Sequence, residues 1–421
     1  MAALKPVKVG LIGCGMIANM SYMPTIMKQY SFIDVVKCAD DVPERAELFE
    51  KKFGCKAVPK EEIFSDPEIE IVLNLTYPTS HVEITKAALA AGKHVHTEKM
   101  MGVTWEDGLE LKALAEEAEK KGLWYTNAPD TFLGGAWQTA RQLIDAGFIG
   151  TPIASHCLVT RGNFILGAER GGSTRRELPK QEGPGDDMMA RFARLALPGY
   201  NPRTPAGSGL PFDMGGYYLH NLINMFGNIN RVAGYVKTNI KSNSSNDPLN
   251  VNYKNTEPNT EPDTLIGSLE FDNGVYSNII FASGINSQDN AFIIYGSDAN
   301  LICPDPNYYG GKVFLQTNIR KTGGFGANGI EPMEMFEVPP THSLLDESRG
   351  VGLLDLAFAI RNGRKPRCHY TMGLQTFEVV HGLIDSCQNG VNHKMISKVE
   401  RPAAVQPGIF RGLEQQVLFD D

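Results

Sequence analysis

A chain of 421 residues is too long for one ordinary hydrophobic core, so two domains are expected. Its hydrophobic content of 42% and charged content of 21% are those of a soluble globular protein. A net charge of -8 without any basic face or run argues against nucleic acid, and no apolar stretch is long enough to span a bilayer. The seven cysteines are scattered, with no CxxC or Cys/His cluster. They read as reduced thiols of a cytoplasmic protein, neither a disulfide frame nor a metal site. The first apolar run is only a strand long and lacks the regions of a signal peptide.

That first run, from Val7, drops into Gly13-Cys14-Gly15-Met16-Ile17-Ala18. A buried strand ending in G-x-G-x-x-A is how many proteins hold the pyrophosphate of a dinucleotide. Gly13 makes the tight turn, Gly15 lets the backbone approach the phosphates, and Ala18 lets helix and strand pack closely. The helix N-terminus then faces the negative charge, and Pro24 is expected to disturb that helix near its end. Cys14, inside the turn, reads as packing. A second strand, Ile33 to Ala39, ends at Asp40-Asp41. A carboxylate there accepts from a ribose 2'-hydroxyl and repels a 2'-phosphate, so Asp40 points to NAD over NADP.

Strand and helix patterns then alternate. Pro43 to Phe53 reads as a helix, Ile69 to Leu75 as a strand, His81 to Ala91 as a helix, and Lys93 to Thr97 as a strand. A long helix, Trp105 to Lys121, and a strand, Leu123 to Asn127, complete the pattern. The alternation is that of a doubly wound parallel sheet of the α/β class, placed in a domain of residues 1-130. Thr76, His81, Glu98 and Asn127, with Met16 and Ile17, are the further candidate cofactor contacts. Lys99 follows the fourth strand at the sheet's carboxyl edge, where it can reach cofactor and substrate together and steady a developing alkoxide.

From 131 to 421 a second domain is expected, for substrate binding and oligomerisation. A helix from Gly134 to Ala146 leads to strand-like segments at 152-160, 229-238, 264-271, 274-283, 290-296 and 312-318, with Asp272-Asn273-Gly274 as a hairpin signal. The last helix runs from Thr371 to Asn389. This half reads as a largely open antiparallel sheet with a few helices. Residues 161-210 and 242-263 lack clear periodicity. The first, with a short helix at 186-197, reads as an arm over the substrate through Arg161, Asn163, Arg175 and Arg176. The second reads as an exposed loop or dimer-edge excursion.

In Phe212 to Gly227, a helix starting after Asp213 puts Asp213, Tyr217, His220 and Asn224 on one face of an otherwise apolar helix. Such a polar stripe needs partners and can wall a wet cleft, although Asp213 also suits a helix N-cap and His220 a hydrogen-bonded core position. His94 and His96 lack further ligands at metal spacing, no H-E-x-x-H occurs, and no metal is expected. No G-x-S-x-G elbow offers a serine nucleophile.

Several blocks together resemble the glucose-fructose oxidoreductase/inositol dehydrogenase family (Gfo/Idh/MocA). They are Gly13 to Ala18, Ala87 to Val95 leading into Glu98-Lys99, Ala128 to Gly135, Phe212 to Gly215, and Arg361-Asn362-Gly363 with the last helix. The resemblance implies an N-terminal Rossmann domain and a C-terminal α/β domain whose large, mostly antiparallel sheet often makes a homodimer or homotetramer. It implies oxidation or reduction of a secondary hydroxyl on a sugar, glycoside or polyol by nicotinamide, with Lys99, Asp213 and Tyr217 as the catalytic group. Two departures stand out. The family's E-K-P is Glu98-Lys99-Met100 here, and the position often held by histidine is Tyr217, while His220 takes a place often occupied by aspartate.

Either Tyr217 or His220 therefore serves as general base. A tyrosine, ordinarily ionising near pH ~10, needs a cation's help, which Lys99 offers; a histidine needs no large shift. Two other uses of the site stay open. A tightly held NAD can oxidise a glycoside at C3, permit elimination of the aglycone and be reduced back, with no net redox. A non-catalytic NAD-dependent regulator is the third.

Overall fold

The computed structural model describes residues 5–161, 209–239, 261–283, 285, 289–317 and 334–408. The first sheet contains β1 (Val7–Ile12), β2 (Ile33–Ala39), β3 (Lys56–Ala57), β4 (Ile71–Asn74), β5 (His94–Thr97) and β6 (Tyr125–Asn127). All its strands are parallel, in the order β3-β2-β1-β4-β5-β6. Strand order reverses between β1 and β4, which opens a crevice at their carboxyl ends, the usual place for a ligand in such sheets. Residues Val7, Val9, Leu11, Ile71, Val72, Leu73 and Val95 are buried, as a sheet covered by helices on both faces requires.

Between these strands lie α1 (Met23–Gln29), α2 (Pro43–Phe53), α3 (Lys60–Ser65), α4 (Pro78–Ala90) and α5 (Trp105–Glu119). The expected first helix is corrected in one respect. It opens as a π-helical turn, Ala18–Tyr22, and Pro24 sits in the first turn of the α-helical part, where a missing N–H costs nothing. The short β3 and α3 were not foreseen, because neither is long enough to show a period. Helix α5 begins with a reciprocal cap between Thr104 and Asp107.

The second sheet has nine strands among the described residues, in the order β14-β13-β12-β11-β7-β10-β9-β8-β15. They are β7 (Pro152–Thr160), β8 (Ile229–Lys237), β9 (Thr264–Phe271), β10 (Tyr276–Ala282), β11 (Asn290–Gly296), β12 (Ala299–Cys303), β13 (Val313–Thr317), β14 (Glu334–Val338) and β15 (His393–Lys394). It is mixed: β7 and β10 run parallel, and the other neighbours run antiparallel. The hairpin at 272–274 joins β9 to β10, with Gly274 at φ 83°. Strands β12, β14 and β15 escaped sequence reading.

Four more helices complete the described chain: α6 (Gly135–Asp145), α7 (Leu210–Phe226), α8 (Val351–Asn362) and α9 (Tyr370–Asn389). Helix α8 was also unforeseen, because a helix apolar on every side, VGLLDLAFA, has no polar face to reveal its period. The expected helix at 186–197, most of the 161–210 arm and most of the 242–263 loop lie outside the described residues.

Helix α7 starts three residues before Asp213, with Pro211 in its first turn, so Asp213 is a helical residue and no N-cap. Every other residue of α7 is buried. The polar stripe thus does not face water along its length. Asn224 accepts from Arg141 at 2.8 Å. His220 is fully buried, edge-on to Phe132, with Nδ1 2.8 Å from the Pro129 carbonyl. Burial pushes His220 down to about 4, partly opposed by that carbonyl.

A pH dependence follows from His220. Its folded-state value is lowered, so the folded protein keeps the ring neutral where the unfolded chain would protonate it. The stabilisation is complete above the ordinary value of 6.5 and is lost as pH falls towards about 4. At about pH 5 the loss is on the order of 2 kcal/mol. Urea denaturation at neutral pH and at about pH 5 should show this drop in the wild type and a smaller one in His220→Asn. Equal drops in both would refute the assignment.

Candidate active site

The turn after β1 is shaped by Gly13. Its φ is 102°, and a Cβ there would lie 2.6 Å from the backbone carbonyl of Leu75, so a side chain is excluded by both conformation and contact. A Cβ at Gly15 would meet nothing within 4 Å, so the backbone is bare towards open space on that side. Met16 is exposed and Ile17 half-buried. A strand, a tight glycine turn, an open face and a helical start form a cradle that fits a dinucleotide pyrophosphate.

Asp40, at the end of β2, accepts from the Cys14 amide and the Val42 amide, both at 2.9 Å. It also lies 3.5 Å from the Arg45 guanidinium. Burial raises its carboxyl above the ordinary value against those three partners. Asp40 therefore ties the glycine turn to the end of β2. Asp41 is exposed.

The next candidates brace strand ends. Thr76 donates its hydroxyl to Asn74 at 2.7 Å. The ring of His81 lies between the carbonyls of Met100 (2.7 Å) and Thr76 (3.0 Å). Asn127 donates its amide to the carbonyls of Thr97 and Glu98, both at 3.1 Å. These three knit together the loops after β4, β5 and β6.

Glu98 and Lys99 follow β5. Glu98 is buried and accepts from the Tyr22 hydroxyl at 2.7 Å and from the Lys99 amide at 3.0 Å. Burial would raise its carboxyl, but Arg349, Lys99 and these donors hold it below the usual range. Tyr22 ends the helical turn that follows the glycine motif, so the cofactor cradle touches the residue next to Lys99. The Lys99 ammonium donates to Asp213 Oδ1 at 2.5 Å and to the Asp213 carbonyl at 2.8 Å. It lies 5.5 Å from the centre of the Tyr217 ring. Burial works to lower the ammonium's value, and Asp213, Tyr217 and Glu98 outweigh it and raise it.

Lys99, Asp213 and Tyr217 are thus brought together. Helix α7 comes this close because Gly216 packs on the next loop: a Cβ there would press on Pro129 at 3.2 Å. His220, one turn on, is not part of this group. Arg161 is spent on the Thr160 carbonyl, Asn290 and, at 3.6 Å, Asp305. Asn163, Arg175 and Arg176 lie outside the described residues.

Sequence reading missed Arg349, whose Nη1 donates to the Tyr217 hydroxyl at 3.2 Å. It also missed the role of Tyr22. An arginine before Gly-x-Gly at the start of an apolar helix was the available signal, and it is a faint one. Among the described residues, no three His, Cys, Asp or Glu side chains gather as a metal would need. No helix among them is long and apolar enough to cross a membrane.

Two models of one oxidoreductase family match this chain: the NAD-binding Rossmann fold over residues 7–126 and the C-terminal alpha/beta domain over residues 203–395. Among curated relatives, inositol 2-dehydrogenase 3 of Saccharopolyspora erythraea is 29% identical over 36% of this chain and 44% of its own length. The scyllo-inositol 2-dehydrogenase (NADP(+)) of Bacillus subtilis is 34% identical over 34% of this chain and 38% of its own. The matched stretch thus spans less than half of either relative. Of solved structures, levoglucosan dehydrogenase in complex with NADH and levoglucosan has a TM-score of 0.72 at 17% identity, covering 93% of this chain and 100% of that one. The aldose-aldose oxidoreductase of Caulobacter crescentus has a TM-score of 0.67 at 20% identity, covering 93% and 100%. The fold is shared with both, and the chain belongs to the Gfo/Idh/MocA oxidoreductase family, with its NAD-binding Rossmann fold and C-terminal alpha/beta domain.

Proposed function

We propose that this protein is an NAD-dependent dehydrogenase acting on a secondary hydroxyl of a sugar, glycoside or polyol. The observation that carries the reading is the Lys99–Asp213 pair beside Tyr217 at the carboxyl edge of the Rossmann sheet. Named relatives act on inositols, which supports a polyol-like substrate. The redox-neutral cleavage gains no support, since the relatives and neighbours above are called dehydrogenases or oxidoreductases.

When bound, the nicotinamide supplies a hydride acceptor. The chain's own residues would hold it and move the proton. Gly13, Gly15, Met16 and Ile17 cradle the pyrophosphate, and Asp40 takes the ribose. Tyr217 accepts the hydroxyl proton, because its hydroxyl meets Arg349 and its ring lies near Lys99, whereas His220 is held on the Pro129 carbonyl. Lys99 steadies the oxygen as charge develops, and Asp213 fixes the ammonium in place.

Asp40 favours NAD because a 2'-phosphate would meet its carboxylate. The relatives leave this open, one being named for NADP and one solved with NADH. Exposed Tyr235, Ile266 and Tyr276 on one face of the large sheet support a homodimer or homotetramer through that face. The seven unbridged cysteines support a reducing, cytoplasmic setting. The division at residue 130 into a cofactor domain and a substrate domain belongs to the same proposal.

Two predictions test the reading. With NAD and a panel of inositols and pyranosides, the wild type should generate NADH absorbance. Lys99→Ala and Tyr217→Phe should each lower kcat by roughly 10²- to 10⁴-fold while NAD still binds, as read by fluorescence titration. Wild-type kcat in both variants would remove these residues from the mechanism. For the cofactor, Asp40→Ala should lower the NAD-to-NADP ratio of kcat/KM by at least about tenfold. A wild type that prefers NADP would overturn the assignment.

A further inference from the structure

Arg349 is almost wholly buried, at 6% exposure, and guanidinium groups stay charged in proteins. A buried cation is costly unless nearby negative charge offsets it. The hydrogen bond from Nη1 goes to the hydroxyl oxygen of Tyr217, at 3.2 Å, and to no carboxylate among the described residues. Nε has no hydrogen-bond partner among the described residues, and Glu347 lies 3.8 Å from it. The guanidinium carbon is 5.5 Å from the centre of the Tyr217 ring and 6.0 Å from that of Tyr309.

The placement is braced from behind by Asp130. Fully buried, Asp130 accepts from the amides of Gly350 (3.0 Å) and Gly352 (2.9 Å) on one oxygen and from the Tyr309 hydroxyl (2.5 Å) on the other. The Arg349 amide donates to Glu347 at 3.1 Å. The turn carrying Arg349 is therefore pinned to the Ala128–Leu133 loop of the Rossmann half and to the Tyr309 loop. Lys99 approaches Tyr217 from another element, on the loop after β5, and shares its charge with Asp213. Arg349 shares none through a short carboxylate contact.

We propose that Arg349 is a positioning residue for proton transfer, holding the Tyr217 oxygen and stabilising the phenolate that accepts the substrate's hydroxyl proton. This rests on the reading of Tyr217 as the proton acceptor. The step balances: the substrate O–H proton passes to the Tyr217 phenolate oxygen, the phenol so formed returns that proton to solvent, and a bound nicotinamide would take the carbinol hydride. Arg349 exchanges nothing and changes only how readily Tyr217 bears charge.

The test needs no substrate or cofactor. The tyrosinate ultraviolet band is titrated in wild type, Tyr217→Phe, Arg349→Gln and Arg349→Lys, and the wild-type minus Tyr217→Phe difference isolates Tyr217. In Arg349→Gln the Tyr217 band should emerge at a pH higher by about one unit or more, the effect expected of an opposite charge within a few ångströms. Arg349→Lys keeps a cation opposite Glu98 and Asp130, and so the fold, but loses the guanidinium bond; its band should lie between the two. If Arg349→Gln does not fold, an Arg349→Lys band coincident with wild type overturns the proposal by itself. Coincident bands in wild type and Arg349→Gln overturn it as well.

On any substrate that turns over, Arg349→Gln should lower kcat with KM nearly unchanged, and should lower it no further in a Tyr217→Phe background. An additional loss in that background overturns action through Tyr217. A shifted band with no NADH formed on any polyol supports the coupling and refutes the dehydrogenase reading, so the two failures are distinguishable.

Discussion

The ammonium of Lys99 reaches from the loop after β5 to both the carboxylate and the main-chain carbonyl of Asp213 in the first turn of α7. That double bond-making joins a parallel sheet built for a dinucleotide to a helix that lies against the large mixed sheet. Both partners are partly withdrawn from water, with side chains 15% and 38% exposed, so the attraction is less screened than at the surface and each charge depends on the other. Helix α7 has almost no solvent-facing side. Its depth is set by small residues, Gly215 against Phe281 and Gly216 against Pro129. The contact between Lys99 and Tyr217 is a consequence of this close packing, since a bulkier residue at either position would hold the helix away.

Around Tyr217 the charges alternate. Lys99 and Arg349 supply two cations, and Glu98, Asp213 and Asp130 supply carboxylates at one remove. The carboxylates offset the cations in a buried place, and the one phenol between them meets the Arg349 guanidinium through its hydroxyl. Tyr22 extends the arrangement to the cofactor turn by donating to Glu98. Cofactor cradle, lysine loop and helix are thus a single bonded network.

Much of this was legible in the chain. Gly13, Asp40 and the alternation of short apolar runs with helices name the Rossmann half, because parallel strands buried on both faces leave contiguous Val, Ile and Leu. The spacing of Asp213 and Tyr217 put both on one face of α7, where the structure brings them to Lys99, and the hairpin at 272–274 set the register of β9 and β10. What escaped has physical causes. His220 and Asn224 share the helical face of Tyr217, yet spacing along one helix cannot tell which turn meets a cleft and which meets Pro129 or Arg141. Helix α8 has no polar side to betray a period. Arg349 acts across more than a hundred residues, held by Asp130 from the Rossmann half, and such a contact exists only in three dimensions.

The central claim is direct hydride transfer from a secondary carbinol to nicotinamide, with the proton leaving through Tyr217. Its sharpest test is isotopic: a turned-over polyol carrying deuterium at the reacting carbinol carbon, with the NADH product analysed by mass spectrometry. The account predicts one deuterium on the nicotinamide ring and a slower rate with the labelled substrate. Turnover with no deuterium in the recovered cofactor would contradict it.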